Sequence, residues 1–153
     1  MPTKSFEDIL DAPFDGPAER PPLVPKGTYL TTVIGPYEEG HSTKKGTLFF
    51  AFNHRLIEPM DDVDADELAD YGALDGVTIS NTYYLTPKSL YRLDEFFQHC
   101  GVNIDSPKLR KMSGIEARKA MAEGTDNAQV YVVVDHEANG DRTFARVVGT
   151  AKA

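Results

Sequence analysis

Two lysines sit on a glycine-bounded loop, Ser42-Thr43-Lys44-Lys45-Gly46, just before an apolar and aromatic run from Thr47 to Ile57. In a strand, successive side chains point to opposite faces. Leu48, Phe50, Phe52 and Leu56 then share one face with His54, while Phe49, Ala51, Asn53 and Arg55 share the other. The first face reads as core and the second mixes a ring with a cation. Tyr84 falls on the outer face of a further run, Val77 to Leu85, and Arg142 and Arg146 enter from a run between Arg142 and Thr150. Rings on which bases stack, at ~1–3 kcal/mol each, and cations that follow phosphates are what a single-stranded nucleic acid needs. Lys44, Lys45, Arg55, Arg142 and Arg146 are the candidate phosphate contacts, and Phe49 and Tyr84 the candidate stacking rings. The plainer use of any one ring is packing against a neighbouring segment, and that of the lysines is to solubilise a hairpin.

Other chemistries find little support. Asp62-Val63-Asp64-Ala65-Asp66 resembles the start of a calcium loop, but Glu67 stands where the turn needs Gly and Ala73 where the last ligand would be Glu. His41, His54, His99 and His136 lack metal-ligand spacing, and Cys100 lies on an apolar helix face, where a structural thiol is the expected role. There is no phosphate-cradling glycine loop, nucleophile elbow or convincing carboxylate pair. The expectation is a protein that is not an enzyme and needs no cofactor or metal.

The chain has 153 residues, 41% apolar and 26% charged, as expected of one globular domain. Its net charge of −8 looks wrong for a partner of nucleic acid. The acidity is local, however. Glu58 to Asp75 holds eight acids and no lysine or arginine, and without those eight the acids and bases balance at sixteen each. A binding groove needs local positive potential, not a basic protein, although the balance counts against strong non-specific binding. No run is long and apolar enough to span a membrane, and Met1 to Asp15 does not read as a secretory signal. With one cysteine and therefore no internal disulfide, the cytoplasm is the expected compartment.

The elements that must position these residues follow in order. Residues 1–26 are proline-rich and read as an extended N-terminal arm, the alternative being a disordered tail. Residues 27–153 form the domain, with an acidic insert at 58–76 that carries a short helix over Asp64 to Tyr71. Strands are expected over Thr28–Tyr37, Thr47–Ile57, Val77–Leu85, Ala128–Asp135 and Arg142–Thr150, with Glu38 to Gly46 as a polar loop. Thr86-Pro87 reads as a helix start, Leu90, Leu93, Phe96, Phe97 and Cys100 follow at helical spacing, and Gly101 ends that helix. A connector with a short helix over Ile115–Glu123 leads to the fourth strand, and Ala138-Asn139-Gly140-Asp141 is a hairpin turn. Three strands, one principal helix, then two strands is the order of a five-stranded, OB-like Greek-key barrel, a mainly β fold.

The sequence also resembles small tailed-phage proteins described as single-stranded-DNA-binding. The resemblance is carried by Pro25-Lys26-Gly27-Thr28-Tyr29, Ser42-Thr43-Lys44-Lys45-Gly46-Thr47, Asp61-Asp62-Val63-Asp64, and Tyr84-Leu85-Thr86 with Tyr91-Arg92-Leu93, and it runs from about Phe6 to Ala153. It implies an OB-like fold and a role in phage DNA replication or recombination inside the host cell, with single-stranded DNA and replication or recombination proteins as partners and self-association as a further option. Recruitment of partners through an acidic C-terminal tail is not expected from Thr150-Ala151-Lys152-Ala153. Two rival readings use the same residues differently: the acidic insert as a docking surface or DNA mimic, and the barrel as a structural virion component.

Overall fold

A computed structural model describes Phe14 and residues 22–153; the expected arm lies mostly outside the described residues. The described residues hold five strands: β1 (Gly27–His41), β2 (Leu48–Pro59), β3 (Thr78–Tyr84), β4 (Gln129–Asn139) and β5 (Arg142–Lys152). They form one antiparallel sheet in the order β3-β2-β1-β4-β5. Helix α1 (Ala65–Tyr71) lies between β2 and β3. Helix α2 (Leu90–His99), the one-turn α3 (Pro107–Arg110) and α4 (Gly114–Glu123) lie between β3 and β4. This is the OB-like arrangement, mainly β, with its principal helix between the third and fourth strands.

Apolar alternation places the core. Phe50, Phe52, His54 and Leu56 of β2 are buried, as are Val130, Val132 and Val134 of β4. Leu93, Phe96 and Phe97 of α2 close the interior, and Phe96 packs on Phe52 with ring centroids 4.7 Å apart. Arg118 of α4 holds Asp94 of α2 through two hydrogen bonds, of 2.9 and 3.1 Å, tying the two helices together.

β1 departs from expectation. Its register with β2 shifts between Ile34 and Glu38, and the strand then resumes, with Glu38 to His41 opposite Ala51 to Leu48. The stretch read as loop is therefore half strand, because β2 supplies ladder partners to residues whose own composition favours a turn. The true loop is Ser42 to Thr47, closed by Ser42 N–H to the Thr47 carbonyl at 2.8 Å.

α2 also starts later than Pro87. Residues 87–89 form a turn, the Ser89 hydroxyl donates to the Tyr84 carbonyl at 2.7 Å, and no side-chain cap bond is made at Ser89. The hydroxyls of Thr86 and Ser89 meet each other at 2.5 Å, so neither caps the helix amides. Gly101 follows in the left-handed conformation expected of it.

Two aspartates of the acidic segment are structural. Asp62 accepts from the Thr28 amide (2.8 Å) and hydroxyl (2.7 Å), and these bonds, the amide's foremost, hold its carboxyl below the usual carboxylate range. Asp64 caps α1 by accepting from the amides of Asp66 and Glu67. This segment pins Gly27, whose φ is +134° and whose added Cβ would lie 2.6 Å from Val63 Cγ2 and 3.0 Å from Val63 Cα. Backbone cannot give way as a flexible side-chain end does. Gly27→Ala is expected to cost about 1–3 kcal/mol, read from the urea midpoint; an unchanged midpoint would show that the segment yields freely.

His54 is fully buried. The Thr31 hydroxyl lies 2.9 Å from the Val130 carbonyl and 3.1 Å from His54 Nδ1. The single hydroxyl proton goes to the carbonyl, so Nδ1 carries the ring proton and Nε2 is left with a buried, unpartnered lone pair. Burial pushes the imidazole from 6.5 down to about 4. Between those values the unfolded chain binds a proton that the folded chain does not, so stability rises with pH. Stability is expected to be full above pH 6.5 and to fall by up to about 3 kcal/mol toward pH 4. Denaturant titrations across that window, with His54→Leu as reference, measure it; equal slopes in the two proteins would remove His54 as the cause.

Candidate functional site

The β1–β2 hairpin extends past the double ladder. β1 pairs with β4 only from Gly27 to Thr32, and beyond Glu38 it pairs with β2 alone. Lys44 and Lys45 sit exposed at its tip. Just inside the loop, Gly40 faces Phe49, and Phe49 in turn pairs with Tyr84 of β3. The two rings meet edge to face, with centroids 5.8 Å apart at 63°. Phe49 is half-buried over Gly40, whereas Tyr84 is 47% exposed. A partly open aromatic pair near two exposed ammonium groups can stack flat rings and hold anions.

Tyr84 also forms part of a second feature. The sheet has its ends at β3 and β5, and between them lies a cleft of about 490 Å³. Its walls are Ser80 to Tyr84 of β3, Ala145 to Thr150 of β5, and Tyr91, Arg92, Glu95 and His99 of α2. Helix and strand are clipped across it: His99 Nδ1 meets Thr150 Oγ1 at 2.8 Å and the Arg92 guanidinium reaches the Val148 carbonyl at 3.4 Å. Asn81 Nδ2 donates to Tyr83 Oη at 2.7 Å, and burial raises that phenol to about 12, so it stays protonated at neutral pH.

The candidate residues of the sequence divide into three groups. Lys44, Lys45, Phe49 and Tyr84 come together at one end of β2–β3. Arg146 lines the cleft with Tyr84 but is engaged by Glu137 at 2.7 Å. Arg55, exposed and opposite Thr32 and Thr78, lies six residues along β2 from Phe49, roughly 20 Å away. Arg142 is at the β4–β5 turn, beyond the Gly27 end of β1 and so at the far end of that strand from the lysine loop. The α2 wall of the cleft lies outside the candidate site residues that the sequence singles out. Tyr91, Glu95 and His99 recur every fourth residue, and that stripe beside the apolar face was its only sequence signal.

Among the described residues no group of His, Cys, Asp and Glu is placed to hold a metal ion, and no helix is long and apolar enough to cross a membrane. The lone thiol, Cys100, packs against the core, and burial pushes it up to about 12, far from a thiolate at neutral pH.

No protein-family model matches the chain, and no curated protein does. A solved structure titled "Yeast RPA bound to ssDNA" is similar at 10% identity and a TM-score of 0.30, over 90% of this chain and 83% of that one. A likeness so distant carries no argument about what this chain binds; the residues themselves must carry it.

Gly40 gives a direct handle on the aromatic pair. A Cβ there would lie 2.5 Å from Phe49 Cζ, so the ring must swing away. Gly40→Ala is expected to shift the ring-proton resonances of Phe49 and Tyr84 while costing less than the roughly 1–3 kcal/mol of overpacking a closed core. Unchanged resonances would mean the ring does not rest on Gly40.

Proposed function

We propose that this protein binds single-stranded DNA without strong sequence preference and performs no bond chemistry. The observation that carries the reading is the Phe49–Tyr84 pair, partly exposed beside the Lys44–Lys45 loop. Bases stack on the rings whatever their identity, because each presents a flat π-face, and the lysines neutralise phosphates. Arg146 contributes to the same side of the barrel, with Arg55 and Arg142 as more distant phosphate contacts along a bound strand. The binding domain in this reading is residues 27–153, with the acidic insert at 58–76 inside it, and residues 1–26 form the N-terminal arm that precedes it.

Phage DNA replication or recombination is the proposed setting, supported by the family resemblance of the sequence, with the host cytoplasm as the place. A protein of this kind shields and straightens the strand. Net acidity elsewhere limits non-specific retention on duplex and favours release at moderate salt.

Fluorescence anisotropy of a labelled oligo-dT tests the reading, with duplex DNA and RNA as competitors. The expected result is salt-weakened binding that duplex competes poorly. Lys44→Ala with Lys45→Ala should lower the steepness of the log–log salt dependence by about 1.4, from two lost phosphate contacts on a single strand. Phe49→Ala should weaken binding about tenfold. No binding by micromolar wild-type protein at low salt would overturn the reading and turn attention to the acidic insert as a surface for a basic protein.

A further inference from the structure

The β3–β5 cleft is joined to the aromatic pair through one residue, Tyr84, which touches Phe49 on one side and lines the cleft on the other. A second, more exposed ring lines the same cleft. Tyr91 is 59% exposed on the first turn of α2, away from the buried Leu93, Phe96 and Phe97. It is in none of the ring pairs that build the core. Arg92 follows it, with one long contact to the Val148 carbonyl and no ion-pair partner among the described residues. Arg146, the other cleft arginine, pairs with Glu137 on the β5 side, and Glu95 supplies a carboxylate to the α2 wall beside Arg92. Among the described residues Arg92 is thus the cleft arginine without a carboxylate partner, its one contact being the long bond to the Val148 carbonyl. Hydroxyls of Ser80, Thr82 and Thr150 provide neutral hydrogen-bonding groups around it.

A largely exposed ring, a guanidinium with no carboxylate partner among the described residues and hydroxyl-bearing walls in about 490 Å³ match a ligand that is aromatic at one end and anionic at the other. We infer that the cleft receives a nucleotide of the bound single strand, with Tyr91 as its stacking ring and Arg92 as its phosphate contact. The inference rests on the proposed binding of single-stranded DNA and extends it. The strand would pass from the lysine loop over Phe49 and Tyr84 and continue along α2, so that the principal helix forms one wall of the interface. Tyr84 would serve both parts.

The test is anisotropy of labelled oligo-dT with wild type, Phe49→Ala, Tyr91→Ala, Tyr91→Phe and Arg92→Gln, each first checked for an unchanged melting curve. Tyr91→Ala is expected to weaken binding at least about fivefold, the low end of one stacking contact, and Tyr91→Phe to retain it. Arg92→Gln is expected to weaken binding and to lower the steepness of the log–log salt dependence by about 0.7, one phosphate on a single strand. If Phe49→Ala weakens binding while the Tyr91 and Arg92 variants match wild type, the cleft inference is overturned and the single-strand reading stands. Failure of wild type itself to bind overturns both. Should Tyr91→Ala alter the melting curve, Arg92→Gln decides alone: an unchanged affinity and salt dependence overturns the inference.

Discussion

The fold depends on β1 having to satisfy two ladders at once. From Gly27 to Thr32 its backbone bonds to β4 on one side and, over much of that length, to β2 on the other. Buried amides and carbonyls must be paired, so this stretch has no freedom to shift without losing two sets of bonds. Past Ile34 the constraint is halved and the strand follows β2 only. That release lets the β1–β2 hairpin run on beyond the double ladder, carrying the lysines and Phe49 to a place where rings stand partly in solvent. The Asp126 carboxylate marks the change by accepting the Gly35 amide at 2.8 Å.

Charge is arranged along the same division. The acidic segment follows β2 and anchors to the start of β1 through Asp62, at the end of β1 opposite the lysine loop. The carboxylates of this segment that face solvent are thus kept away from Lys44 and Lys45, and at physiological salt a separation beyond ~8 Å largely screens their influence. The loop thus carries its two lysines away from the acidic segment, with Glu38 and Glu39 the carboxylates nearest to it along the hairpin.

Much of the fold was legible because β2, β4 and α2 announce themselves locally. Phe50, Phe52 and Leu56 alternate, Val130, Val132 and Val134 alternate, and Leu93, Phe96 and Phe97 repeat at helical spacing, and all are buried. The second half of β1 was not legible, since Glu38-Glu39-Gly40-His41 has turn-like composition and is strand only because Leu48 to Ala51 lie opposite. The start of α2 was misplaced for a related reason: Thr86 and Ser89 bond to each other and to the end of β3 instead of capping amides. Of the candidate site, the lysine loop is readable from its polar, glycine-bounded composition and the outer-face placement of the two rings from strand alternation. That Arg146 is held by Glu137 could not, because it depends on the β4–β5 register. The cleft needs β3 and β5 brought to face each other across a gap of some sixty residues in sequence, which no local pattern encodes.

The clips from α2 to β5 have a further consequence. β3 and β5 end the sheet, so each has one edge without a ladder partner. Such edges are templates for pairing with another chain. Arg92 on the Val148 carbonyl and His99 on the Thr150 hydroxyl hold the helix to β5 across the cleft. A chain whose α2 has come away would lose both clips, and the β5 end of the sheet would then stand without the helix beside it, as a place where a second chain could add a strand.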